Sequence, residues 1–272
     1  IEDPWFRAPI RITQPIEIIG LPYIEVSPEH VKGIVMTHLP DEARAMTPGN
    51  EVTKAIGQHT AEFLVWNMQQ NYISRNKLIL QSGVGSGANA VMGALGESKE
   101  VPNFSIYTEV LQEEPMRMIQ EGRVIAASTG ALTLSPEHLQ ELYRCLLYTS
   151  PSDFTCNAML ATFTCGSTAK DGRISSIVPF CSHIDHTEHY VDAIVTEYGV
   201  ADLRNKSALE KAEALIAIAH PDYRPILREY MRLAGAYGGH THHLLSAAFA
   251  MHDTFRRKGD MRLVDWSEYI KE

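Results

Sequence analysis

Two features carry the residue types from which catalysis is built: a glycine string, Gly83-Val84-Gly85-Ser86-Gly87-Ala88, and a carboxylate, Glu109, that follows it by one structural unit. The string fits the G-x-G-x-x-G/A pattern and lies between an apolar run, Lys77–Gln81, and a helical stretch, Asn89–Leu95. Glycines there let main-chain N–H groups approach an anion, and the start of a helix adds positive potential. A dinucleotide pyrophosphate would suit such a bed, and so would the oxyanion that develops in acyl transfer. Glu109 closes the run Ile106-Tyr107-Thr108-Glu109. A carboxylate in that place could accept from a ribose hydroxyl, act as a general base, or attack an activated acyl carbon to give a mixed anhydride. Spacing leaves all three open, beside the plain alternative of a solvated or salt-bridged surface Glu. Ile194-Val195-Thr196-Glu197 repeats the arrangement and makes Glu197 a second candidate.

Three other strings are polar enough to matter. His183-Ile184-Asp185-His186-Thr187-Glu188-His189 holds five side chains of metal-binding type, but not in the H-E-x-x-H spacing that sets two imidazoles on one helical face. Polar packing near a site is the expectation, with no metal. Gly238-Gly239-His240-Thr241-His242-His243 is expected to cap the helix after it. Lys170, in Ala169-Lys170-Asp171-Gly172, could meet a phosphate as a point charge, though a Lys in such a turn is by default solvated.

The elements that must position these residues alternate. Residues 1–30 carry five prolines and read as an extended lead-in or linker, and Val31–Met36 as a short buried strand. A helix start in Thr47-Pro48-Gly49-Asn50-Glu51 opens an amphipathic stretch through Met68. Strands are expected at Lys77–Gln81, Phe104–Tyr107, Gly122–Ala127, Ile174–Phe180 and Tyr190–Thr196, and helices at Pro136–Leu147, Leu209–Ala219, Pro225–Ala234 and Leu244–Arg257. The class is α/β, layered, with a mostly parallel sheet. One stretch breaks the texture: between Arg144 and Ser152 a helix passes abruptly into an uncommitted turn, as if two segments had been joined.

Composition narrows the partners. With 272 residues, 44% hydrophobic and 21% charged, the chain can bury a real core. Its 24 Lys and Arg against 33 Asp and Glu give a net charge of -9, which opposes wrapping a polyanion, so nucleic acid is not expected. No apolar run approaches the roughly 20 residues of a membrane helix. Cys145, Cys156, Cys165 and Cys181 lack paired spacing and read as reduced thiols of a cytoplasmic protein. The start, Ile1-Glu2-Asp3-Pro4, reads as a cut edge, so a targeting segment, mitochondrial in a eukaryote, would lie upstream.

Taken together, Gln81–Val91, Tyr107–Gln112, Ser167–Gly172, His183–His189, Ile194–Arg204 and Ala219–Pro225 closely resemble the acetyl-CoA hydrolase/transferase family, in order and over nearly the whole chain. The resemblance implies a CoA-transferase-like fold, coenzyme A as a substrate, no metal, and catalysis through an active-site glutamate matching Glu109. That carboxylate would attack an acyl-CoA, and the acyl-glutamyl anhydride would become a glutamyl-CoA thioester. A small carboxylate such as acetate would then collect the CoA, or water would release it. The amides of Val84 and Gly85 are the expected oxyanion donors, and hydrogen bonds are expected to keep Glu109 charged. The resemblance further implies that Gly83, Val84, Gly85, Ser86, Gly87 and Lys170 meet the coenzyme and that Glu197 sits beside the nucleophile. A homodimer is left open.

Two departures from the family stand out. Its members carry a first domain of similar fold ahead of the part matched here, so residues 31–272 correspond to the second, catalytic domain. Near 144–152 they carry a further stretch with an Asn for the oxyanion and a glycine-rich coenzyme loop. Here Thr149-Ser150-Pro151-Ser152 stands there, with Ser150 at a coenzyme-contacting glycine's place, and Cys156 stands where an Arg is usual. Three readings follow: a transferase or hydrolase domain, a nicotinamide oxidoreductase built on Gly83–Ala88, and an inactive truncated remnant prone to self-association.

Overall fold

A computed structural model describes residues 25–38, 49–142, 158–236 and 242–270. Most of the 1–30 segment, the junction with Ser150, Cys145 and Cys156, and the Gly238–Thr241 part of the histidine string lie outside those residues. Helix α1 (Glu51–Gln69) begins at a reciprocal cap: Thr53 N–H donates to Asn50 Oδ1 at 2.9 Å, and Asn50 N–H donates to Thr53 Oγ1 at 2.8 Å. Such a box satisfies two of the orphan amides of a first turn. Its apolar stripe, Ile56, Ala61, Leu64, Val65 and Met68, is buried.

Next come β1 (Ile79–Leu80), α2 (Ser86–Glu97), β2 (Phe104–Leu111), α3 (Glu113–Gln120), β3 (Val124–Leu132) and α4 (Pro136–Leu142). The three strands form one parallel sheet in the order β1-β2-β3. Parallel neighbours need a crossover, and α2 and α3 supply them. Phe104 and Ile106 of β2 are fully buried with Met68, Met92, Leu95 and Met118, each worth roughly 1.5–3 kcal/mol of transfer free energy. Where α1 meets α2, a Cβ added at Gly57 would stand 2.6 Å from Ala90 O, so the two backbones touch directly.

The second half opens with β4 (Thr162–Thr164), β5 (Thr168–Ala169), β6 (Ile174–Ser175), β7 (Ala193–Thr196) and β8 (Gly199–Asp202). Its sheet has the order β4-β7-β8, with β4 parallel and β8 antiparallel to β7. A separate hairpin pairs β5 with β6. Helices α5 (Ala208–Ile218), α6 (Arg224–Gly235) and α7 (Ala250–Lys258) follow, and Tyr223, Leu227, Tyr230, Met251 and Trp266 form their core. Helix α1 packs on β7 and β8 as well as on α2, which joins the halves.

Several expectations need correction. Val31–Met36 is neither a strand nor buried: Ile34, Val35 and Met36 are 80%, 89% and 85% exposed, because no neighbour among the described residues covers them. An apolar run alone cannot reveal whether a partner exists. Ile174–Phe180 shrinks to a two-residue strand, and Leu244–Arg257 breaks into a 3-10 turn at Leu245–Ala247 followed by α7. Among the described residues no side chain caps that turn; His243 Nδ1 lies 3.2 Å from Tyr230 Oη instead. Strand β2 runs to Leu111, so Glu109 stands inside it rather than at its end.

Candidate active site

The glycine turn sits where β1 gives way to α2, and its shape follows from one residue. Gly85 is at φ +120°, ψ 175°, a conformation essentially closed to residues with a Cβ, and it is the N-cap of α2. Ser86 and Gly87 belong to the first helical turn, where among the described residues no side chain caps the amides. This is the arrangement that favours an anion. Val84 stands at the crest with 63% of its surface exposed.

Side chains of β2 and the residue after it fasten the turn. Thr108, fully buried, donates its hydroxyl to Ser82 O at 2.8 Å and accepts from Ser82 N–H at 3.3 Å. Gln112, also fully buried, donates from Nε2 to Gly83 O at 2.7 Å and accepts at Oε1 from Gly85 N–H at 2.9 Å. Of the two amides expected to serve an oxyanion, that of Gly85 is thus already engaged; among the described residues, that of Val84 has no hydrogen-bond partner. Gln112 itself gave no sequence signal beyond its place in the Tyr107–Gln112 string.

Glu109 is next to Thr108 in the same strand, so its side chain leaves the sheet on the opposite face. It is exposed, and among the described residues its carboxylate has neither an ion pair nor a hydrogen bond. The hydrogen bonds expected to hold it are therefore not found among the described residues, while its backbone carbonyl accepts from Thr129 Oγ1 at 3.0 Å. Glu197 occupies the tight turn between β7 and β8 in the other sheet. It accepts from Ser167 N–H at 2.9 Å and from Ser167 Oγ at 2.6 Å. Ser167 is buried, and the chain beside it reaches the glycine turn: a Cβ added at Gly87 would lie 3.9 Å from Thr164 Oγ1. Between them, Cys165 is exposed as a residue, yet its thiol is pushed up by partial desolvation and by the Glu197 carboxylate.

Lys170 and Asp171 form the tip of the β5–β6 hairpin at φ 51° and 55°, both left-handed, with Gly172 at +79° after them. Lys170 is exposed. The histidine string is an exposed loop tied by His183 to Asp185 at 3.0 Å and by Lys211 to Glu188 at 2.9 Å. Among the described residues no group of three His, Cys, Asp or Glu side chains is placed to hold a metal ion.

Residues 149–231 match a known domain whose members act on coenzyme A thioesters. The matched model is that of the acetyl-CoA hydrolase/transferase C-terminal domain. Similarity to that family extends well beyond those residues. The propanoyl-CoA:succinate CoA transferase of Escherichia coli is 33% identical over 309 residues, covering 94% of this chain and 62% of the relative. The succinyl-CoA:acetate CoA-transferase of Clostridium kluyveri is 35% identical, covering 96% and 59%. An acetyl-CoA hydrolase of Schizosaccharomyces pombe is 30% identical, covering 98% and 63%. The chain thus spans about three fifths of the length of these curated relatives. These alignments run over 309 to 329 residues against the chain's 272, so the relatives carry residues inside the aligned span that this chain lacks. Among solved structures, 4-hydroxybutyrate CoA-transferase from Porphyromonas gingivalis superposes with a TM-score of 0.57 at 27% identity, covering 71% of this chain and 59% of that one. RipA from Yersinia pestis superposes at 0.57 with 18% identity, covering 71% of this chain and 55% of that one, which speaks for the fold alone.

Proposed function

We propose that the chain forms the nucleophile-bearing part of an enzyme that moves CoA between an acyl-CoA and a small carboxylate, or hydrolyses the acyl-CoA at the same site. The observation that carries this reading is an exposed Glu109, its carboxylate without a partner among the described residues, on the strand that leads into the grip on an anion-receptive glycine turn. Glu109 attacks the thioester carbonyl, and collapse of the tetrahedral adduct expels CoA thiolate and leaves an acyl-glutamyl anhydride. The thiolate then attacks the glutamyl carbonyl, releasing the first carboxylate and leaving a glutamyl-CoA thioester. An acceptor carboxylate reverses the two steps with its own acyl group; water in its place returns free CoA and Glu109. Each adduct places negative charge on one oxygen, and the free amide of Val84 is the donor offered to it. Helix α2's first-turn amides at Ser86 and Gly87, with Gly83, Val84 and Gly85 before them, and the Lys170 ammonium are assigned to the coenzyme's phosphates and pantetheine. Ser150 keeps that assignment from the sequence, and Glu197, held by Ser167, is assigned to the wall facing the nucleophile.

The test is to incubate the chain with acyl-CoA, reduce with borohydride, and read the mass of the peptide holding Glu109. Reduction of a glutamyl thioester leaves a primary alcohol there and frees CoA, and Glu109→Ala abolishes the change. An unmodified peptide together with absent CoA binding identifies an inactive remnant. The relatives named above give the nicotinamide reading no support; parallel titrations with CoA and NADH separate the two.

A further inference from the structure

We propose that Gln112 is a positioning residue for this reaction: it fixes the plane of the peptide between Gly83 and Val84 and so sets the direction of the Val84 N–H, the donor assigned above to the oxyanion. The inference rests on the reading above and adds a residue with a distinct role. A peptide unit is planar and trans, so its C=O and N–H point in opposite directions. Gly83 C=O and Val84 N–H share one such plane. Gln112 Nε2 donates to Gly83 O at 2.7 Å, drawing that carbonyl toward β2, and the Val84 N–H is thereby turned the other way. The same carboxamide accepts from Gly85 N–H at 2.9 Å, so the chain is gripped on both sides of Val84, and a flip of the Gly83–Val84 peptide would break the Gln112 bond to Gly83 O together with the one that Ser82 Oγ gives the same oxygen at 3.2 Å.

A side chain does this because the backbone cannot. Strand β2 pairs with β1 only as far as Leu80 and Ile106, and after Leu111 the chain turns into α3, where Gln112 O accepts from Met116 N–H at 3.2 Å. The Gln112 carboxamide, one donor and one acceptor, stands in for the peptide pair that the next residues of the ladder would have supplied. The neighbouring residues hold it in place. Glu114 N–H donates to Asn89 Oδ1 at 3.1 Å in α2, and the Glu113 carboxylate accepts from Ser135 N–H and meets His138 Nδ1 on the far side of β2. Gln112 is fully buried, so its rotamer is set by packing as well.

Two variants test this. Gln112→Leu removes donor and acceptor at similar volume. It should speed hydrogen exchange at the Gly85 amide while the β2 amides stay protected, and slow borohydride-trapped labelling of Glu109 by about tenfold or more with a smaller change in CoA affinity, since the oxyanion donor matters most in the transition state. Gln112→Glu is nearly isosteric. Its carboxylate has no proton to give Gly83 O, whereas the neutral carboxyl has both a donor and an acceptor. The labelling rate of Gln112→Glu relative to the parent should therefore be depressed at neutral pH and recover as pH falls through that carboxyl's titration. Parent-like labelling by folded Gln112→Leu, or a Gln112→Glu ratio that does not move with pH, overturns the positioning role while labelling of the parent upholds the reaction. A parent chain that is never labelled removes the reaction and this role together.

Discussion

At the scale of single residues, the site depends on one backbone conformation that side chains cannot share. Gly85 at φ +120° is the clearest case, and Gly85→Ala should cost about 1–3 kcal/mol in stability and weaken CoA binding, read by urea titration and by calorimetric titration with CoA. Ser167→Ala deletes one of two charge-assisted hydrogen bonds to Glu197, the one from the hydroxyl at 2.6 Å. A loss of about 1.5–3 kcal/mol is expected, measured by the same titration. Much of this was legible beforehand: the glycine string, Glu109 and Glu197 are recognisable by type and spacing. What was not legible is which amide stays free. That depends on Gln112, whose carboxamide could face any polar neighbour until the fold brings Gly83 and Gly85 to it.

At the scale of elements, long-range side-chain caps do work that no local pattern announces. Arg123, at the start of β3, donates from Nε to Gly96 O at 3.0 Å and from its terminal nitrogens to Ser98 O and Val101 O at 3.0 Å each and to Asn103 Oδ1 at 2.9 Å. The carbonyl end of α2 is thus satisfied by a residue more than twenty positions away, through a planar fork that an ammonium does not copy. Arg123→Lys should lower stability by about 1–3 kcal/mol in the same denaturation assay. Arg204 does comparable work between β8 and α1, paired with Asp202 at 2.8 Å and lying 5.5 Å over the Phe63 ring and 5.7 Å over that of Tyr72. Desolvation pushes the Asp202 carboxyl up, but hydrogen bonds and charge from Arg204 outweigh it and leave the group below its ordinary range. A depressed folded-state value means that the contribution is fully present above the unfolded value near 4 and is lost as pH falls through the folded one. Urea midpoints of the parent and Asp202→Asn should accordingly differ at neutral pH and converge in acid. Periodicity did locate α1, α5 and α6, whose stripes are long; it misjudged Val31–Met36 and Ile174–Phe180, where burial is decided by neighbours rather than by the run itself.

At the scale of the whole molecule, the α/β class and the parallel arrangement of β1-β2-β3 were readable from alternating strands and helices, whereas the division into two three-stranded sheets and a separate hairpin was not. Nothing in the strings around Phe104 and Ile194 says that their strands lie in different sheets. Exposed Ile34, Val35 and Met36 form an apolar stretch that water disfavours, and replacing all three with Ser should shift sedimentation of the chain toward smaller species if it self-associates. Helix α1 is the other global feature. It lies against α2 with no room for a methyl group at Gly57, and it also packs on β7 and β8. Heat that loosens this one helix must release both halves at once, so calorimetry should record a single cooperative melting step. A bulky residue forced in at position 57 would wedge the two helices apart and split that step into two.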